Sequence, residues 1–164
     1  MRRRSLLALG AVSAAALLVF GGSLALMEPG MRDAKLSPAG RDVFAAVARA
    51  ILDGTLPGDE ASMHGLLARI DALVAALPPH AQAEMSQLLA LLASSPGRRA
   101  FAGLSPSWRE ATVAQIQDAL QSMRLSGLSL RQQGYQALHD IVGAAWFSDD
   151  ATWALLGYPG PQTI

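Results

Sequence analysis

Along most of this chain, apolar residues recur at steps of three and four, and proline or glycine punctuates each block. That spacing lines one face of an α-helix, and no segment shows the sustained two-residue alternation or dense β-branched run of a strand. Ser37-Pro38 reads as an N-cap with proline at the first helical position, opening a helix that buries Val43, Phe44, Val47, Ile51 and Leu52 and stops at Gly54. A second helix runs from about Asp59 to Leu77, with Met63, Leu66, Leu67, Ile70, Leu73 and Val74 on one face. Pro78-Pro79 opens a third, carrying Met85, Leu88, Leu89 and Leu92, and Arg98 to Gly103 reads as one short turn. Ser105-Pro106 repeats the capping device and predicts a fourth helix to Ser126, burying Val113, Ile116, Leu120 and Met123. The fifth spans about Leu130 to Phe147, with Tyr135, Leu138, Ile141, Val142 and Ala145 inward. The expected fold is all-α: a bundle of about five helices, with antiparallel neighbours because the connections are short.

The N-terminus divides off from this body. Met1-Arg2-Arg3-Arg4-Ser5 precedes the uncharged run Leu6 to Met27, whose 22 residues suffice for a bilayer-spanning helix of roughly 20. The basic flank would stay cytoplasmic, leaving the body outside. Arg3 and Arg4, followed by Ser5-Leu6-Leu7, resemble a twin-arginine translocation signal, which exports folded proteins. The Gly- and Ala-rich core favours that route over general secretion. Ala25 offers a cleavage point, and an uncleaved anchor is the alternative. Residues 1–27 are therefore a signal or membrane anchor, 28–36 a polar linker, 37–156 the helical domain and 157–164 an extended tail.

All three leader arginines lie outside the body, which keeps 10 basic and 13 acidic side chains, a net charge of −3. Nucleic acid needs a basic footprint, so it is excluded as a partner. The absence of cysteine excludes disulfides, thiol nucleophiles and cysteine-held clusters or haem, while leaving an oxidising compartment open.

Catalytic chemistry finds few candidates. His64, His80 and His139 are widely separated, with no helical metal-ligand spacing. His139 and Asp140 point about 100° apart on a helix and so cannot form a dyad with each other. No Gly-x-Ser-x-Gly elbow, dinucleotide fingerprint or phosphate loop occurs. Asp149-Asp150 reads as a cap for Ala151 to Leu156, and Arg98-Arg99 as a solvated turn. No catalytic residue and no metal site is assigned.

Five of the nine aromatic residues, Tyr135, Trp146, Phe147, Trp153 and Tyr158, fall within one 24-residue stretch. Such rings either cap the core or form a partner interface, and both readings stand on physical grounds. The tail Gly-Tyr-Pro-Gly-Pro is incompatible with a helix and loses little entropy on docking.

The paired-arginine leader, the body opening on Leu36-Ser37-Pro38, and the C-terminal Ala-Ala-Trp-Phe-Ser-Asp…Thr-Trp…Leu-Gly-Tyr-Pro-Gly-Pro together resemble the small subunits of bacterial membrane-bound flavin dehydrogenases. These are the gluconate 2-dehydrogenase subunit 3 and sorbitol dehydrogenase small-subunit families. The layout extends over roughly residues 36–161, and its specificity lies in the C-terminal motif. The resemblance implies a non-catalytic subunit that assists maturation and export of a glucose–methanol–choline type partner. That partner would carry FAD, with none bound by this chain, and a multihaem cytochrome often completes the complex. It implies a place in the periplasm or on the periplasmic face of the inner membrane. Arg3 and Arg4 would serve targeting; Trp146, Phe147, Trp153, Tyr158, Pro159 and Gly160 match the motif, whose aromatic clustering suggests the partner interface. A stand-alone membrane-anchored binding protein, and a small secreted enzyme using His139 with a remote acid, are the other readings.

Overall fold

The computed structural model describes residues 28–157. Arg3 and Arg4, with the rest of the leader, and Tyr158, Pro159 and Gly160 in the tail lie outside the described residues. The body is all-α in its main elements. Five long helices follow one another: α1 (Pro38–Ile51), α2 (Glu60–Ala75), α3 (Pro79–Ala93), α4 (Val113–Arg124) and α5 (Ser129–Phe147).

Helix α1 is the centre of the molecule because its sequence is apolar or small on almost every side. Val43, Phe44, Ala46, Val47 and Ala48 are fully buried, and α2, α3, α4 and α5 all pack against it. The alanines let neighbouring backbones approach, while burial of each larger side chain contributes roughly 1.5–3 kcal/mol. Leu66 and Ile70 of α2, Leu89 and Leu92 of α3, Ile116 and Met123 of α4, and Leu138 and Val142 of α5 complete one continuous core. Pairing of α2 with α5 and of α4 with α5 closes the bundle around α1.

The helix starts follow local chemistry. Ser37 Oγ accepts from Gly40 N at 3.1 Å, and Asp59 Oδ1 accepts from Ser62 N at 2.8 Å, each satisfying a donor that the first helical turn leaves open. After α3, Ser94 Oγ accepts from Gly97 N at 3.1 Å, and the chain enters a wide helical turn at Arg98–Ala102. Gly103 ends that turn at φ +72°, the left-handed conformation in which a missing Cβ avoids the usual penalty.

Two expectations are corrected. Residues 28–36 do not form a free linker. Met31–Arg32 (β1) and Lys35–Leu36 (β2) make a small antiparallel hairpin, with Met31 opposite Leu36 and both buried. Gly30 N donates to Ser86 O (3.2 Å) and Met31 N to Ser86 Oγ (3.1 Å), which ties the hairpin to α3. On the other strand, Leu36 N donates to Asp71 Oδ1 at 2.8 Å, and the same carboxylate pairs with Arg41. A Cβ on Gly30 would lie 2.3 Å from Leu89 Cβ, so only glycine allows this approach. Two-residue strands are too short to show a period. The turn at Asp33 and Ala34 (φ +50° and +57°) also lacks the Asn-Gly signature of its type.

The fourth helix begins at Val113, not near Pro106. Thr112 is its cap, in a box where Thr112 Oγ1 accepts from Gln115 N (3.2 Å) and Gln115 Oε1 from Thr112 N (3.0 Å). Upstream, Ser107 and Glu110 close a separate turn. The indole of Trp108, buried at 3 % exposure, donates to Leu92 O at 2.7 Å and holds that turn against the end of α3.

Candidate functional site

Of the sequence-predicted aromatic residues within 28–157, Trp146, Phe147 and Trp153 lie where α5 ends. A helix leaves its last four carbonyls without partners inside the helix, and here each finds a donor. Ala144 O accepts from Ser148 N (3.0 Å), and Ala145 O from Arg69 Nε (2.9 Å) and Ser148 Oγ (2.9 Å). Trp146 O accepts from Thr152 Oγ1 (3.1 Å), and Phe147 O from the indole Nε1 of Trp153 (2.9 Å). The chain then winds into a short 3-10 helix at Asp150–Leu156. Asp149 opens it as the sequence suggested: its Oδ1 accepts from Ala151 N at 3.1 Å. Its Oδ2 also pairs with Arg69 at 3.0 Å, so one α2 arginine secures both the helix end and the segment beyond it.

The aromatic residues differ in burial. Trp146 is 8 % exposed and belongs to the core. Phe147, the next residue, is 46 % exposed, and Trp153 lies half-buried beside it with its indole N–H already committed. Tyr135 sits partly buried on the core and tilts against the His139 ring, with centroids 5.5 Å apart. The junction thus presents an apolar ring on a frame fixed by hydrogen bonds, an arrangement suited to binding rather than to proton transfer.

Groups considered for catalysis do not converge. His64 and His80 are exposed on separate helices. His139 and Asp140 do meet, contrary to the helical-angle argument, with Nδ1 and Oδ1 3.4 Å apart. Both are on the open surface, and Asp140 Oδ1 also accepts from Gln136 Nε2 at 2.6 Å, so flexible side chains bridge the angle without forming a pocket. A cavity of about 330 Å³ between α1 and α2 is lined by Arg49, Asp53, Asp59, Glu60 and Met63. Hydrogen bonds from the backbone and side chain of Ser62 hold Asp59 below its ordinary pKa, which suits a helix cap and not a general acid. Among the described residues, no group of three His, Cys, Asp or Glu side chains could hold a metal ion, and no helix is long and apolar enough to cross a membrane.

Two residues that matter were misread or missed. Arg98, expected in a solvated turn, is 6 % exposed; only Arg99 is at the surface. Trp108 carried no sequence-based role. The sole signal was the Thr112-Val113-Ala114-Gln115 capping pattern, which by ending the expected helix early would have left Trp108 to a packed turn. No family model, no curated protein and no solved structure matches this chain.

Proposed function

We propose that this chain is the non-catalytic small subunit of a periplasmic, membrane-associated flavin dehydrogenase of the glucose–methanol–choline type. It assists maturation of the catalytic subunit and escorts it, folded, across the inner membrane through the leader containing Arg3 and Arg4. A flavoprotein folds around its cofactor before export, so a subunit bearing a signal for folded cargo supplies the route. FAD resides on the partner, and a multihaem cytochrome is the third component.

The observation that supports this reading is the exposure of Phe147 beside Trp153, on the very motif that resembles the family. An aromatic ring on a rigid helix end, with its neighbours' polar groups already satisfied, docks at little cost in conformational entropy. The test is co-purification from the native host. Tagged chain is expected to bring down a yellow, FAD-containing protein that lacks its own signal peptide. Recovery of the chain alone, under conditions that preserve membrane complexes, overturns the proposal.

A further inference from the structure

Arg98 is buried, and among the described residues it has no counter-ion. It is 6 % exposed, and among the described residues no carboxylate lies within 4.0 Å of its guanidinium. Its Nη1 and Nη2 reach only Ala93 O (3.5 Å) and Ser105 O (3.3 Å), and its fully buried Nε has no acceptor. Burial, with help from neighbouring Arg99, lowers its pKa, while Glu110 acts on it only from a distance in the opposite sense. The Glu110 carboxylate is instead engaged by Ser107, through Oγ at 2.8 Å and N at 3.3 Å. An arginine so placed bears most of the desolvation cost of a buried charge without the pairing that normally offsets it.

Arg98 also lines a cavity of about 110 Å³, together with Asp42, Ser107, Trp108 and Arg109. Arg109 is neutralised there by Asp42, whose Oδ2 accepts from its Nε at 2.7 Å. Trp108 is committed to Leu92 O. The unmatched charge bordering the cavity is therefore that of Arg98. A volume this small accommodates a group of a few heavy atoms.

We propose that this cavity receives a single small oxyanion, bound by the guanidinium of Arg98. Planar, forked donors match carboxylate and phosphate oxygens, and such charge-assisted bonds are about twice as strong as neutral ones. The oxyanion has two sources of the same chemistry: a free anion of the compartment, or an acidic side chain inserted by a bound protein.

The test is a titration of the purified full-length chain with sodium acetate and, separately, inorganic phosphate, against chloride at matched ionic strength. The expected result is a saturable movement of the Arg98 Nε–Hε signal in ¹⁵N NMR and a rise in Tm of roughly 2–4 °C at saturation. R98M should abolish the thermal response, and R98K should weaken apparent affinity about tenfold or more because the fork is lost. A chloride response equal to that of acetate and phosphate, or no movement of the Arg98 signal in the wild type, overturns the proposal without relying on any variant to fold. The same titration on chain co-purified from its host separates the sources. An Arg98 signal already displaced and insensitive to acetate identifies a protein carboxylate, whereas continued titration identifies a free anion.

Discussion

Trp108 couples a turn to a helix through one buried N–H, and such a bond is modest when made but costly to leave half-made. Trp108→Phe keeps most of the packing while leaving Leu92 O without its donor, so unfolding in urea should show a loss of about 1–3 kcal/mol. Trp108→Ala adds a cavity and should cost about 3–5 kcal/mol. A phenylalanine variant as stable as wild type would show that the indole N–H contributes nothing. Asp59 and Glu110 behave differently, since both are solvent-exposed and both are held below the usual carboxylate range, by Ser62 and Ser107 respectively. A carboxylate with a depressed folded-state pKa contributes stability that is full above its unfolded value and is lost as pH falls through the folded one. The contribution of these two residues should therefore fade below roughly pH 4. Asp59→Asn, which retains a good cap but no charge, should flatten that part of the acid-stability curve and leave the neutral side nearly unchanged. An unaltered acid limb would remove Asp59 from the account.

At the scale of elements, the start of α4 shows how local chemistry chooses between two plausible caps. Ser105-Pro106 and Thr112 each carry the right residues, but only Thr112 is followed three positions later by a glutamine that closes the reciprocal box. Thr112→Ala should destabilise the protein by about 1 kcal/mol, whereas Ser105→Ala should stay within about 0.5 kcal/mol. Chemical denaturation of the two variants side by side reads this directly, and the reverse order would place the functional cap upstream. The hairpin at 28–36 makes the complementary point. Its position rests on contacts with Ser86, Leu89 and Asp71, which lie between 35 and 59 residues away along the chain. No local pattern in nine residues can encode partners so remote, and for that reason the segment read as a linker.

For the whole molecule, the fold sharpens which aromatic residue should be used to test the proposed complex. Trp146 is part of the core, so its truncation to alanine would cost about 3–5 kcal/mol of bundle stability and confuse folding with binding. Phe147 lies outside that core. Phe147→Ala should change the unfolding free energy by no more than about 0.5 kcal/mol yet sharply reduce co-purification of the flavin subunit. Undiminished recovery of the partner would move the interface elsewhere on the surface.

The helical period, the prolines and the capping serines were enough to define an all-α body and the apolar faces of its five helices, because those signals arise within a few residues of one another. Val43, Leu66, Leu89, Ile116 and Leu138 are buried as their spacing predicts. The sequence alone also set residues 1–27, with their paired arginines and uncharged run, and the aromatic C-terminus apart from the helical pattern of the body. Tertiary structure decided what depends on distant neighbours. It turned the linker into a hairpin, separated Trp146 from Phe147 across the boundary of the core, and drew Arg98 inward while Arg99 stayed in water. The difference is physical: periodicity gives the face of an isolated helix, but burial depends on which other surface comes to rest against it.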